Sequence, residues 1–580
     1  MRYGWTALGA ACLLSFSVHA GDASLQQQYA HIQDLNNTSW RLVSAPSGDP
    51  QALAKAVELS RQSLASAEQM KAALRENAGL ALEVTQRHSD ALRILASAYA
   101  LQNDREHALA CLESLLKEAW VEASTADLLA KNHALDRLRD EPRYKAVIAA
   151  LGRLDSQWRA PAIATTDTEL DEAHRIAGLS LFWSEARYNF VHFELVPDLD
   201  WNQAYVDFLP KVIAAKSLHD YYEVMMRFAP LLHDGHTSIT PPATISNEFY
   251  ARPAIRTAMI DGHVLVTEVC SPKLASQVRV GDEVVSVDGQ DVRQYAQERV
   301  EPYASTSTPQ DTLVHVYDYR LLQGDHRQPV TLGLKDAAGR LRQVRLSREN
   351  DPSVQVAPTV DWRMLPDGVA YLAIHEFEDD DGVKAFERAL PQILHAKGLI
   401  LDLRRNTGGS DVVGAQILSY LTDRPLQGSR SRTQEYAPVY RADAGPYTAW
   451  NEWEAGTFQM ERAQRYHGPV VVLVGPRTYS AAEDFVVAFD ALKRGTLMGE
   501  TTGGSTGEPL QFKLPGGGTA RICTKHDSFP DGREFVGKGI APQITVAPTV
   551  EDIRAGRDPV IQRALAVLAG KEASPATPAP

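Results

Sequence analysis

At 580 residues the chain is too long for a single hydrophobic core and divides into about three or four domains. Hydrophobic residues make up 44% of it and charged residues 23%, an ordinary balance for a folded soluble chain. The formal charge of −14 is spread along the sequence and no Lys/Arg stripe forms, which argues against a nucleic-acid partner and says nothing of substrate.

Residues 1–20 read as a secretory signal peptide. Arg2 supplies a short positive start, an apolar stretch runs to Val18, and Val18-His19-Ala20 puts small residues at the cleavage positions. Export to a periplasmic or extracellular space is the expectation. A buried first helix is the bland alternative, and a lipid anchor at Cys12 fits less well because the apolar run continues past it. That run is too short for a membrane span, and no later one is long enough. Cys111, Cys270 and Cys523 remain after cleavage; they allow at most one disulfide, show no metal-site spacing, and are expected as buried free thiols.

Residues 21–48 read as a linker and 49–152 as a helical domain. Leu92, Leu95 and Tyr99 share a helical face, Asn103-Asp104 break it, Ala108, Cys111, Leu112 and Leu115 restart it, and Pro142 opens a further helix. This resembles a tetratricopeptide (TPR-like) helix pair, with one clear unit where an array needs about three. Its role is either a docking platform for a protein partner or a packing domain. A polar linker near 153–168 follows. Residues 168–245 are helical at first and rich in aromatics (Phe182, Trp183, Tyr188, Trp201, Tyr221, Tyr222), expected as core, and they close with LLHDGHTSIT.

Residues 250–347 alternate as strands: HVLVTEV, a short helix and turn, then EVVSVDG. Gly281-Asp282 before the second strand and Asp288-Gly289 after it resemble a PDZ domain, a fold that captures peptide C-termini by strand addition; a rigid lid without a peptide groove is the plainer reading. From 361 to 568 the pattern is β-α-β. GVAYLAI, the helix around Phe386, Leu390 and Leu394, and the buried strand LILDL imply a parallel, right-handed crossover. Residues 571–580 read as a disordered tail.

The chemistry gathers in this last region. Val470–Val474 is an apolar strand that runs through Gly475-Pro476 to Ser480, which opens the helix AAEDFVVAFDALKR. A serine there is commonly only an N-cap. A nucleophile would gain from the same geometry, because the helix dipole and the free Ala481 N–H favour developing negative charge. Asn406-Thr407-Gly408-Gly409 follows a buried strand directly; one of its N–H groups together with that of Ala481 can form an oxyanion hole, though an ordinary strand-to-helix turn has the same sequence. His236, in a turn, is the candidate base, with an unperturbed pKa of about 6.5 and hence an activity rise through about pH 6–7. His233 and His236 find no third ligand for a metal.

DGHT, DLRRNTGG, YSAAED and GETTGG, in that order and with a PDZ-like insert after the histidine, resemble the C-terminal-processing (tail-specific) serine protease family, which includes the tricorn core. The resemblance implies a multidomain α/β protein with a ClpP/crotonase-like core, acting on protein or peptide substrates without metal or cofactor. Ser480 matches the nucleophile, and Gly409 (less surely Gly408) and Ala481 match the oxyanion donors. Many members carry a lysine in a Gly-Lys-Gly loop after GE-x-T. This chain reads Gly504-Ser505-Thr506 there, so the resemblance turns to the tricorn-like branch and to His236 as base. That branch's glutamate falls at Val536; Glu534, two residues away, is the substitute, and Ser505, Glu483 and Asp234 are further partners for the imidazole.

The expected reaction is acyl transfer: Ser480 attacks a peptide carbonyl, His236 carries the proton, and Gly409 with Ala481 hold the oxyanion. A catalytically inactive binding protein on the same fold is the competing reading. An α/β-hydrolase esterase fits poorly, since Thr478-Tyr479-Ser480-Ala481-Ala482 lacks the Gly-x-Ser-x-Gly elbow.

Overall fold

The computed structural model describes residues 23–45, 49–74, 78–117, 125–349, 351, 353–354 and 358–571. The signal-peptide reading and residues 572–580 of the expected tail lie outside the described residues. The described residues form two compact units, one among residues 23–164 and one among residues 165–571.

The first unit is helical. Helices span Ala23–Ser44, Pro50–Ala73, Ala78–Leu101, Arg105–Lys117, Thr125–Lys131 and Pro142–Arg159. Asn103, in the left-handed region at φ 65°, ends the third helix, and Pro142 opens the last, where a missing N–H costs nothing. Ala23–Ser44, read as part of a linker, is therefore a helix. Its apolar positions are sparse because polar side chains also face inward: Asn36 and Ser39 are buried, and the Asn36 amide donates to Arg87 O (2.8 Å) and accepts from Ser63 Oγ (2.7 Å). Ile32, Leu35 and Val43 complete that buried face. The last helix also runs to Arg159, into the stretch read as a polar linker.

In the second unit, helices Glu172–Asn189, Trp201–Ala214 and Leu218–Phe228 enclose an aromatic core of Phe182, Trp201, Phe208, Tyr221, Tyr222 and Phe228. This core continues into Leu514, Ala520, Ile522 and Cys523, so the three helices belong to the same body as the C-terminal sheets. An antiparallel sheet follows, in the order Ile255–Ile260, His263–Val269, Glu283–Val287, Val330–Lys335, Leu341–Leu346, around its own apolar cluster.

The central sheet is mostly parallel. Its order is Ile544–Thr545, Thr496–Gly499, Val470–Val474, Gly398–Asp402, Val369–Ile374 and Val360–Leu365, with only the last pair antiparallel. Strands Val369–Ile374, Gly398–Asp402 and Val470–Val474 are wholly buried, as a sheet covered on both faces requires. Helices Asp381–Ile393, Asp411–Leu418 and Ala481–Leu492 bury Phe386, Ile417 and Phe485 against one face, and Pro559–Leu568 covers the other with Val560 and Ala564. The Gly398–Asp402 and Val470–Val474 strands are neighbours in register, so the turns after them, 403–410 and 475–480, emerge side by side. In parallel sheets this carboxyl edge is where ligands bind.

Candidate active site

Two turns are locked together before any side-chain chemistry begins. Thr478 Oγ1 donates to Leu403 O (2.8 Å) and accepts from Gly475 N (3.0 Å), while Tyr479 N donates to Asn406 O (3.0 Å). The Asn406 side chain accepts the Gly408 N–H at 2.9 Å. Close approach demands glycine here. Gly408 has φ 91°, and a Cβ on it would lie 2.6 Å from Ser480 Cβ; Gly409 has φ 132°, and a Cβ would lie 2.4 Å from Phe377 C.

Ser480 is not a cap. Its side chain makes no capping bond to the helix it precedes, and its backbone sits at φ 55°, ψ −129°. Such a torsion costs a non-glycine residue about 1–3 kcal/mol and persists where the surroundings impose it. What it achieves is presentation: Oγ lies 3.0 Å from His236 Nε2. The Ala481 N–H, first in the helix, and the Gly409 N–H have no intramolecular acceptor among the described residues. Gly408 differs, its N–H being spent on Asn406, so Gly409 is the donor left to pair with Ala481.

His236 projects from a turn that the sequence shapes tightly. His233, at φ 47°, ends the preceding helical segment, and Asp234 then accepts from Thr237 Oγ1 at 2.6 Å. Strand Ser238–Thr240 next pairs with Thr519–Cys523. The imidazole is buried, and Tyr479 stacks parallel beneath it, ring centroids 5.3 Å apart at 11°. Burial, reinforced by the cations Arg521 and Lys525, pushes its pKa down to about 3, so the ring is neutral at pH 7. This corrects the expected titration near pH 6–7, which assumed a solvated ring.

The far side of the imidazole meets Ser505: Nδ1 to Oγ is 2.8 Å. With Nε2 free to accept from Ser480, Nδ1 carries the proton and donates to Ser505. Glu483 sets the height of that serine, accepting the N–H groups of Gly504 (2.8 Å) and Ser505 (2.9 Å) and the Thr502 hydroxyl (2.5 Å). Burial pushes the Glu483 carboxyl up to about 8, against the pull of those three donors. Of the residues singled out in the sequence, Ser480, His236, Ser505, Gly409 and Ala481 therefore converge. Glu534 does not. Its carboxylate binds His526 Nε2 at 2.6 Å, because the chain near 534 runs beside strand His526–Ser528 and not toward His236. Asp234 holds the turn, bonded to Thr237 and, at 3.4 Å, to Ser307, with no bond to the imidazole nitrogens.

Three residues had no signal in the sequence. Tyr479 is the platform under His236, and its hydroxyl donates to Asp311 at 3.3 Å. Asp311 comes from the segment 307–320 of the 250–347 region, which also reaches the 502–505 loop through Thr308 Oγ1 to Gly503 O (2.8 Å) and Gln310 Nε2 to Thr502 O (2.9 Å). Lys525 lines a cavity of about 130 Å³ beside Ser480, whose walls include Val412, Ala415, Leu418 and Phe485. Burial alone would lower this lysine, but Asp527 (3.3 Å), Asp484, Glu508 and Asp411 hold it well above its usual range, so it stays charged and does not serve as a base. On the other side of Ser480 a second cavity, about 490 Å³, is lined by His236, His315, Tyr319, Arg477 and Arg521. Ser480 thus lines both cavities.

Comparison with known proteins finds relatives of this fold. The chain is 26% identical over 300 residues to the chloroplastic C-terminal processing peptidase of Tetradesmus obliquus, a match covering 50% of this chain and 57% of that protein. It is 24% identical over 287 residues to the chloroplastic carboxyl-terminal-processing peptidase 1 of Arabidopsis thaliana, covering 48% and 50%. The chain thus spans about half the length of these curated relatives. The crystal structure of mature CPAF shares the fold, with a TM-score of 0.54 at 18% identity, over 70% of this chain and 99% of that one. Its complex with lactacystin gives 0.53, over 69% and 99%. Residues 368–546, which carry the glycine turn, the Ser480 elbow and the Ser505 loop, match Peptidase family S41, and the chain therefore contains a peptidase S41 domain.

Proposed function

We propose that the protein is a serine endopeptidase working through an acyl-enzyme. One observation carries the reading: a neutral imidazole lies 3.0 Å from the Ser480 hydroxyl, beside two unspent backbone N–H groups. Nε2 takes the hydroxyl proton as Oγ attacks the substrate carbonyl, and the N–H groups of Gly409 and Ala481 receive the oxyanion. The imidazolium then delivers its proton to the leaving amine, and water repeats the cycle on the ester. Ser505 fixes the tautomer that makes Nε2 the acceptor.

The substrates are proteins or peptides, taken at unfolded segments or at their C-termini, the latter as the names of the relatives suggest. The 250–347 region reads as a PDZ-like insert whose edge strand Ile255–Ile260 would pair with a peptide terminus. That edge faces the segment Val314–Arg320: Thr257 Oγ1 donates to Tyr317 O and Arg256 meets Asp318 at 3.4 Å, so an incoming peptide displaces those bonds. The TPR-like helical unit is assigned to a protein partner, and the chain to an exported compartment.

A fluorophosphonate probe and an internally quenched peptide test the reading together. Wild-type protein becomes labelled at Ser480 and cleaves the peptide, while Ser480→Ala does neither and keeps its circular dichroism spectrum. An unlabelled Ser480 in natively folded protein would leave a binding protein on a peptidase fold.

A further inference from the structure

Behind the catalytic histidine lies a second set of buried polar side chains that the peptide chemistry does not use. His192, Asp234 and Cys523 are all at least 99% buried, and their ligand atoms lie within 4.8 Å of one another. They come from three separate places: the segment after helix Glu172–Asn189, the turn that carries His236, and the end of strand Thr519–Cys523. No spacing of cysteines announces such a group; the fold assembles it.

The hydrogen bonds fix which atoms face inward. Glu534 accepts from His526 Nε2–H at 2.6 Å, so in the neutral ring His526 Nδ1 is an acceptor. It accepts from His192 Nδ1–H at 3.3 Å, which leaves the lone pair of His192 on Nε2. That lone pair points at Cys523 Sγ, 3.4 Å away. A histidine whose second ring nitrogen is tied to an outer partner, with the free lone pair beside a thiol and a carboxylate, has the build of a metal ligand with its supporting shell. The 3.4 Å between nitrogen and sulfur is close to the edge of a tetrahedron with bonds of about 2.0 and 2.3 Å.

We propose that Cys523 Sγ, His192 Nε2 and an Asp234 carboxylate oxygen bind a thiophilic divalent cation of the zinc class. Nitrogen, sulfur and oxygen donors in a buried tripod suit Zn²⁺ or Co²⁺ and not the harder Mg²⁺ or Ca²⁺. Binding replaces the S–H bond of Cys523 by a metal–thiolate bond and releases one proton to solvent, and the thiolate and Asp234 together neutralise the ion. Asp234 must turn toward the ion and loosen its bond to Thr237, whose hydroxyl also holds the Cys523 N–H at 3.0 Å. The turn bearing His236 shifts with it, so occupancy slows turnover.

The test uses the full chain, stripped with a chelator and titrated with Co²⁺ alone. The expected result is one ion per chain, a near-ultraviolet thiolate-to-cobalt charge-transfer band, and release of one proton. Cys523→Ser and His192→Gln each lose the band, and His192→Gln serves if the serine variant does not fold. Wild-type protein without the band, or a band that survives both substitutions, overturns the proposal. Turnover of a quenched peptide falls several-fold as Co²⁺ or Zn²⁺ fills the wild type; a filled site with unchanged turnover would refute the coupling to His236. The band reads binding even in a chain that cleaves nothing, so this outcome is independent of the peptidase assignment.

Discussion

Ser505→Ala isolates the orienting contact of the imidazole. The substitution deletes the acceptor of the His236 Nδ1–H at 2.8 Å but spares the backbone of the loop, where Ser505 N still donates to Glu483 (2.9 Å) and Ser505 O still accepts from Ser480 N (3.0 Å). Because the ring is buried, the orphaned N–H pays its full desolvation, about 1–3 kcal/mol. At a factor of ten per 1.36 kcal/mol this predicts a loss of about 5- to 150-fold in kcat/KM. Removing a charged orienting carboxylate, as in the Ser-His-Asp triad, costs about 10⁴. The assay is kcat/KM on an internally quenched peptide beside the second-order rate of fluorophosphonate labelling, which reports nucleophile activation with little help from substrate binding. Both rates fall together if Ser505 acts through the imidazole. A natively folded variant with unchanged rates would refute the tautomer argument.

Gly409→Ala forces a Cβ to 2.4 Å from the Phe377 backbone and tilts the oxyanion donor, with an expected loss of about 10²–10³ in kcat while the substrate KM changes less. The base must be neutral to act, and its pKa lies near 3, so kcat/KM stays level from pH 7 to pH 5 and falls only in stronger acid; a midpoint between pH 6 and 7 would show a solvated ring. Lys525→Met strands Asp527 and Asp484 without their cation and lowers stability by about 3–5 kcal/mol, read from denaturant unfolding. Unchanged stability would refute the reading that Lys525 is held by these carboxylates.

The parallel core was legible because its strands are unbroken apolar runs and its helices carry one-sided stripes: LILDL and VVVLV are wholly buried in the structure. Ser480 was legible as a strand-to-helix junction, but its torsion and its missing cap bond were not, and these are what set it apart from an ordinary cap. For the partner of His236 the sequence put Glu534 first and kept Ser505, Glu483 and Asp234 as alternatives, and the structure brings Ser505 to the ring for a physical reason. Ser505 lies 269 positions away, and a hydroxyl leaves no charge pattern to search for, whereas Glu534 advertised a carboxylate that the fold spends on His526. Helix Ala23–Ser44 was missed because Asn36 and Ser39 fill core positions, which blurs the stripe. Tyr479 was hidden for another reason: its ring works by stacking under His236, a contact no local pattern encodes.

Ser505 touches both halves of the reacting pair, holding the Ser480 backbone through its carbonyl and the His236 ring through its hydroxyl. One residue thus ties the Ser480 backbone and the His236 ring to the same loop, so a displacement of that loop would bear on both groups together.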